Sequence, residues 1–192
     1  MLVFSFVALG AALLFSLSCG HYQGAGPYRS GGGYKTPSDY SHFPKSTDSN
    51  PNYLPSGEFT LYWPVTKAKV NRGYRPASDP DHQGIDLGGQ QGTPVLAAHE
   101  GRVIYVGRDF RGYGKMVLIE YDKSWATLYA HLHSINVREG QILRPGDPIG
   151  GMGRTGRATG VHLHFELMRN RLPIDPLPVL TRSSQFAGRS GR

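Results

Sequence analysis

Cysteine occurs once in the 192 residues, at Cys19, which excludes an intramolecular disulfide and any zinc ribbon built on thiolates. A metal in this chain has to be held by histidine and carboxylate. No window of a dozen residues repeats its apolar side chains with a 3.6-residue period, so long amphipathic helices are not expected. No Lys or Arg precedes Arg29, which removes both the basic start of an ordinary export signal and any orientation by flanking charge. Acidic residues are the minority, 14 against 21 Lys and Arg, and the resulting formal charge of +7 favours an anionic partner or surface. Nucleic acid, membrane lipid and bacterial wall polymer all satisfy that condition, and charge does not choose among them.

What is present divides the chain into four stretches. Residues 1–19 are apolar almost throughout, interrupted by Ser5, Gly10, Ser16 and Ser18, with the length of a signal peptide or a short membrane anchor. Cys19 closes that run and is followed by Gly20, which resembles the lipid-attachment site of bacterial lipoproteins. Ser18 fits that pattern, whereas Leu17 and Ser16 stand where a small and an aliphatic residue are usual. The alternatives are a cleaved signal peptide and an uncleaved anchor, and all three imply export to the cell envelope. Residues 20–57 nearly lack aliphatic side chains and are rich in Gly, Ser, Pro and Tyr, so they read as a tether with too little apolar surface to offset the entropy of ordering. Residues 58–180 carry the candidate globular domain, and residues 181–192 form a basic tail containing Arg182, Arg189 and Arg192.

Within 58–180, 26 Gly and 14 Pro in the whole chain argue for short strands and many turns. Strands are expected at Phe59–Trp63, ended by Pro64, and at Arg102–Val106 between Gly101 and Gly107. Lys115–Tyr121 and Trp125–His131 should form a hairpin about Asp122-Lys123-Ser124. Shorter strands are expected at 94–98, 142–143 and 148–149. The expected fold class is all-β, a compact arrangement of antiparallel strands.

Histidine carries the chemistry. In Gly160-Val161-His162-Leu163-His164-Phe165-Glu166 the two imidazoles are two residues apart and share one face of a strand. That pattern suits a metal site, a general base, or a strand with two half-exposed polar groups. A second pair stands at His131-Leu132-His133. His82-Gln83-Gly84-Ile85-Asp86 offers a further imidazole and a carboxylate, and Gly84 followed by Gly88-Gly89 favours a turn feeding a strand over a helix. Hydrolytic zinc takes three protein ligands and keeps one position open. Two histidines and one carboxylate drawn from these groups would supply that set.

Taken in order, His82-Gln83-Gly84-Ile85-Asp86-Leu87, Gly92-Thr93-Pro94-Val95-Leu96-Ala97-Ala98, Leu128-Tyr129-Ala130-His131-Leu132, Gly140 to Gly150, Thr155-Gly156 and Gly160 to Glu166 resemble the LytM/lysostaphin-type zinc peptidoglycan endopeptidases. The resemblance runs from about Pro64 to Pro176. It implies an antiparallel β fold with a narrow groove, and Zn²⁺ held by His82, Asp86 and His164. It also implies that His131 and His162 are the catalytic pair and that the partners are peptidoglycan peptides. Val161 departs from the family's usual proline, which bears on the turn into the strand more than on the ligands. Neutral imidazoles with one aspartate leave a Zn²⁺ site near +1, suited to a developing oxyanion. With ordinary pKa values near 6.5, His131 and His162 suit proton acceptance from water or stabilisation of that oxyanion.

Two other classes compete. A non-catalytic wall-binding or amidase-activating module on the same fold has no use for a complete ligand set. A nucleic-acid-binding β domain would interleave basic and aromatic residues on one sheet face and leaves the His/Asp set unexplained, so no nucleic-acid partner is expected. His133 reads as a groove or surface residue and His99 as a turn residue. His21 and His42 lie in the tether. Gly151-Met152-Gly153-Arg154-Thr155-Gly156 satisfies the dinucleotide fingerprint only formally, because a strand rather than a helix follows it. Glu166 shares the strand face of both histidines, which makes it a candidate to orient an imidazole rather than a member of the catalytic set.

Overall fold

The computed structural model describes residues 57–67 and 69–181. The expectations for the leader, for Cys19, for the tether up to residue 56 and for the tail beyond Thr181 concern residues outside that range.

The domain is all-β, and among the described residues there is no helix. Thirteen strands follow in order: β1 Leu61–Tyr62, β2 Lys69–Arg72, β3 Ile85–Gly88, β4 Pro94–Leu96, β5 Gly101–Gly107, β6 Met116–Glu120 and β7 Trp125–Ala130, then β8 Ser134–Ile135, β9 Ile142–Leu143, β10 Pro148–Gly151, β11 His162–Arg169, β12 Leu172–Ile174 and β13 Leu180–Thr181. The main sheet runs β2-β3-β11-β7-β6-β5-β9, with β12 paired to β11, and a small sheet runs β4-β10-β8. These pairings are antiparallel. The expectation of antiparallel pairing fails at one place: β1 and β13 pair in parallel, Leu61 opposite Leu180. The expected strand at Phe59–Trp63 is correspondingly short, because only Leu61 and Tyr62 find a ladder, while Phe59 stacks on Trp125 at 4.4 Å.

Alternation explains why the sheet is buried on both faces. Along β11, Leu163, Phe165 and Leu167 enter the main core with Ile85, Leu87 and Tyr129, while Met168 joins a second cluster with Leu128, Ala130, Met116 and Tyr113 on the other face. Each such fully buried side chain contributes roughly 1.5–3 kcal/mol of transfer free energy. His162, His164 and Glu166 share the face of the second cluster and open its end toward the groove. The hairpin forms as expected: β6 pairs with β7, and the Asp122 carboxylate accepts from the backbone N–H groups of Ser124 and Trp125.

His99 lies in the bend between β4 and β5, as its neighbours suggested, but it is 1% exposed. Its Nδ1–H donates to the Glu100 carbonyl at 2.6 Å, so the neutral ring accepts at Nε2 from the Thr127 hydroxyl at 2.8 Å. Thr127 Oγ1 lies 3.0 Å from the Tyr129 hydroxyl, which itself accepts from the Ala98 N–H. Burial pushes the His99 pKa down to about 4, against the opposing hydrogen bond to Glu100. The unfolded chain takes up this proton near 6.5, so stability is complete above that pH and falls as the pH drops from 6.5 through 4. The full loss is about 3 kcal/mol, from about 1.4 kcal/mol for each unit of difference. Urea unfolding at pH 7 and pH 4 should show that loss in the wild type and a flatter profile in His99→Gln.

Candidate metal centre and groove

Register brings the histidines and Asp86 to one place. β11 lies between β3 and β7, with His164 opposite Asp86 on one side and Ala130 on the other. His82 comes from the turn just before β3, and His131 from the residue just after β7. His131 has φ +61°, a left-handed backbone that non-glycine residues adopt at some cost and that marks functional sites. This conformation ends β7 one residue short of the expected strand.

Hydrogen bonds orient each ring. His82 Nδ1 lies 2.8 Å from the Gly73 carbonyl, which can only accept, so that nitrogen carries the hydrogen. The lone pair of His82 Nε2 then faces Asp86 Oδ1 at 3.0 Å. His164 Nε2–H donates to Glu166 Oε1 at 2.9 Å, and Nδ1 lies 2.9 Å from the same Asp86 oxygen. His131 Nδ1–H donates to the Thr155 carbonyl at 2.8 Å, and His162 Nδ1–H to the Gly160 carbonyl at 3.0 Å. Each ring thus has one nitrogen anchored and the other directed to the site.

The donor set fits a cation. His82, Asp86 and His164 are buried, and their ligand atoms lie within 4.8 Å of one another. Lone pairs that face each other at about 3 Å are stable only with positive charge between them. These separations approach the roughly 3.3 Å edge of a tetrahedron with bonds of 2.0–2.1 Å. Without metal, a proton takes part of that role. Burial pulls the His164 pKa down, but hydrogen bonds to Asp86 and Glu166 overcome it and raise it to about 9. Burial pushes the Asp86 carboxyl up, and the His164 and His82 rings set against its Oδ1 outweigh that and hold it well below the usual carboxylate range. His131 is driven down to about 4, first by burial and then by the charge on His164.

The His131 and His162 rings are 4.7 Å apart and line, with the three candidate ligands, a groove of about 280 Å³. The five residues singled out from the sequence therefore converge. His133 does not join them: it is exposed and outside the groove lining, and it is held through its backbone, the N–H donating to the Gly151 carbonyl and the carbonyl accepting from Lys115 Nζ at 2.7 Å. The formal dinucleotide fingerprint follows β10 and leads into β11 with no helix.

Three neighbours have no role of their own read from the sequence, although Thr155 stands in one of the matched motifs. Arg72 Nε lies 3.5 Å from Asp86 Oδ2 while its Nη1 meets Asp79 at 3.0 Å. Thr155 Oγ1 accepts from Lys115 N–H and donates to the Leu132 carbonyl, fastening the chain after His131. Tyr113 donates its hydroxyl to Glu166 Oε1 at 2.7 Å. Its flanking glycines in Gly112-Tyr113-Gly114 mark a tight loop, but no local pattern directs the phenol to Glu166.

Comparison with known proteins places this β domain, with its two imidazoles and one carboxylate gathered in a groove. The profile of Peptidase family M23 matches residues 80–176, and the chain belongs to that family. It is 42% identical over 120 residues to the lipoprotein NlpD/LppB homolog of Pseudomonas aeruginosa, covering 62% of this chain and 39% of that protein. It is 45% identical over 98 residues to the DD-carboxypeptidase/endopeptidase Mpg of Neisseria meningitidis, covering 51% and 22%. The murein hydrolase activator NlpD of Escherichia coli is 36% identical over 121 residues, covering 63% and 31%. The alignments thus span well under two thirds of these relatives. Among solved structures, a zinc-containing peptidase from Vibrio cholerae superposes with a TM-score of 0.55 at 33% identity, covering 62% of this chain and 39% of that one.

Proposed function

We propose that this protein is a zinc-dependent endopeptidase that hydrolyses amide bonds in peptidoglycan peptides at the cell envelope, carried on a lipid anchor at Cys19. The observation behind this reading is the convergence of His82 Nε2, Asp86 Oδ1 and His164 Nδ1 beside the facing rings of His131 and His162. The relatives named as lipoproteins support the anchor and the envelope location. His82, Asp86 and His164 would hold the metal. When bound, zinc supplies a Lewis acid that lowers the pKa of water from 15.7 to about 7 and polarises a scissile carbonyl.

The remaining work falls to this chain's own groups. His131 is anchored through Nδ1 and kept neutral by burial, so its Nε2 is a free acceptor at neutral pH. His162, on the other side of the groove, is anchored the same way. Between them they take the proton of the attacking water and hydrogen-bond the oxyanion. The new C–O bond forms as the carbonyl π pair moves onto oxygen, collapse of that oxyanion then breaks the C–N bond, and the proton passes to the departing amine. Asp86 is restrained at Oδ2 by Arg72, which leaves Oδ1 for the metal.

The alternative, a non-catalytic module that activates a separate amidase, draws on the relative named as a murein hydrolase activator. Digestion of purified sacculi by the full chain separates the two readings. Released peptides, identified by mass spectrometry and abolished both by chelation and by His82→Ala, are expected of the enzyme. No release, or release unchanged by both controls, overturns it. Stimulation of an added amidase without peptide release would establish the activator.

A further inference from the structure

We propose that Glu166, held in place by the Tyr113 hydroxyl, is a positioning residue that fixes the imidazole of His164 for metal binding. The inference rests on the metal site of the preceding reading and does not require that the site be catalytic.

Glu166 is 1% exposed, two residues beyond His164 on the same face of β11. Its Oε1 accepts two hydrogen bonds, from His164 Nε2–H at 2.9 Å and from the Tyr113 hydroxyl at 2.7 Å. An oxygen already committed to two donors acts as an acceptor, which argues against a role as proton donor to substrate. A ring that donates through Nε2 presents the Nδ1 lone pair, and Nδ1 is the atom beside Asp86 Oδ1. Glu166 thereby selects the tautomer and the rotation that the ligand set needs. A carboxylate behind a ligating imidazole also makes it a more basic donor.

Two features place the carboxylate. Tyr113 sits between Gly112 and Gly114, both with positive φ (96° and 65°), so the loop turns tightly enough to bring the phenol inward. Its ring meets the His164 ring edge-on at 5.7 Å. The Tyr113 carbonyl also accepts the His131 N–H at 2.9 Å, so one residue braces both the candidate ligand and a groove histidine. On the other side, a Cβ on Gly84 would lie 2.9 Å from Glu166 Cγ, and the missing side chain makes room for the carboxylate's stem.

The test is zinc affinity of the metal-free full chain, measured by competition with a chromophoric chelator. Glu166→Gln should bind zinc roughly 10- to 100-fold more weakly, and Tyr113→Phe, which removes one oxygen, should weaken binding several-fold. With zinc bound, the ring ¹⁵N shifts of His164 should show a single form, protonated at Nε2 and ligating through Nδ1, in the wild type and a mixture of forms in Glu166→Gln. A folded Glu166→Gln that binds zinc within twofold of wild type and keeps the single tautomer would overturn the proposal. If Glu166→Gln does not fold, unchanged zinc affinity in Tyr113→Phe overturns it and weakened affinity supports it. Because no substrate is involved, failure of the wild type on sacculi would sink the peptidase reading and leave this inference standing.

Discussion

Replacing His164 by alanine is expected to strip zinc from the protein and with it all hydrolysis of sacculi, whereas His162→Ala should retain zinc and turn over slowly. The two rings share a strand face and differ in surroundings. His164 Nδ1 lies 2.9 Å from Asp86 Oδ1, while His162 Nε2 is 3.6 Å from that oxygen. His162 instead faces the His131 ring, 4.7 Å away across the groove. Removing one of three ligands leaves two lone pairs and no stable coordination. Removing a proton-transfer group leaves the ligands intact and costs roughly 10²- to 10⁴-fold in kcat. Elemental analysis of dialysed protein beside the rate on sacculi distinguishes the two. Zinc lost from His162→Ala and kept by His164→Ala would reverse the assignment.

Gly84→Ala should weaken both the fold and the metal site, although it adds a single methyl. The new Cβ would stand 2.4 Å from the Phe165 carbonyl oxygen and 2.9 Å from Glu166 Cγ. The first of these is backbone of β11, so β3 has to move away from the strand that carries His164. His82 and Asp86 flank Gly84 on that moving segment. Overpacking of this kind costs about 1–3 kcal/mol, and zinc affinity should fall at least about tenfold because all three ligands shift relative to one another. Gly73→Ala is the control. Gly73 carries the carbonyl that anchors His82, but a Cβ there meets nothing within 4 Å, so stability and affinity should be unchanged.

The elements that could be read from the chain are those whose pattern is local. β5, β6 and β7 are dominated by apolar and aromatic residues, and β11 announces itself by alternation, with Leu163, Phe165 and Leu167 on one face and His162, His164 and Glu166 on the other. β2 has one apolar residue in Lys-Val-Asn-Arg and owes its ladder to β3. β12 contains Pro173 and is held by β11. Neither has a pattern of its own to detect. The parallel pairing of β1 with β13 joins the two ends of the domain, which no short window reports. The same division holds at the groove. Histidines and Asp86 stand out by residue type, whereas Tyr113 and Thr155 matter through contacts made only when distant loops pack together.

That end-to-end pairing has a consequence for architecture. Because Leu61 lies beside Leu180, the chain enters and leaves the domain at neighbouring points. A domain with adjacent entry and exit behaves as a cassette: it can be spliced between other segments without its own strands having to separate. Its matches to stretches making up 39% and 22% of longer proteins are what such portability would produce.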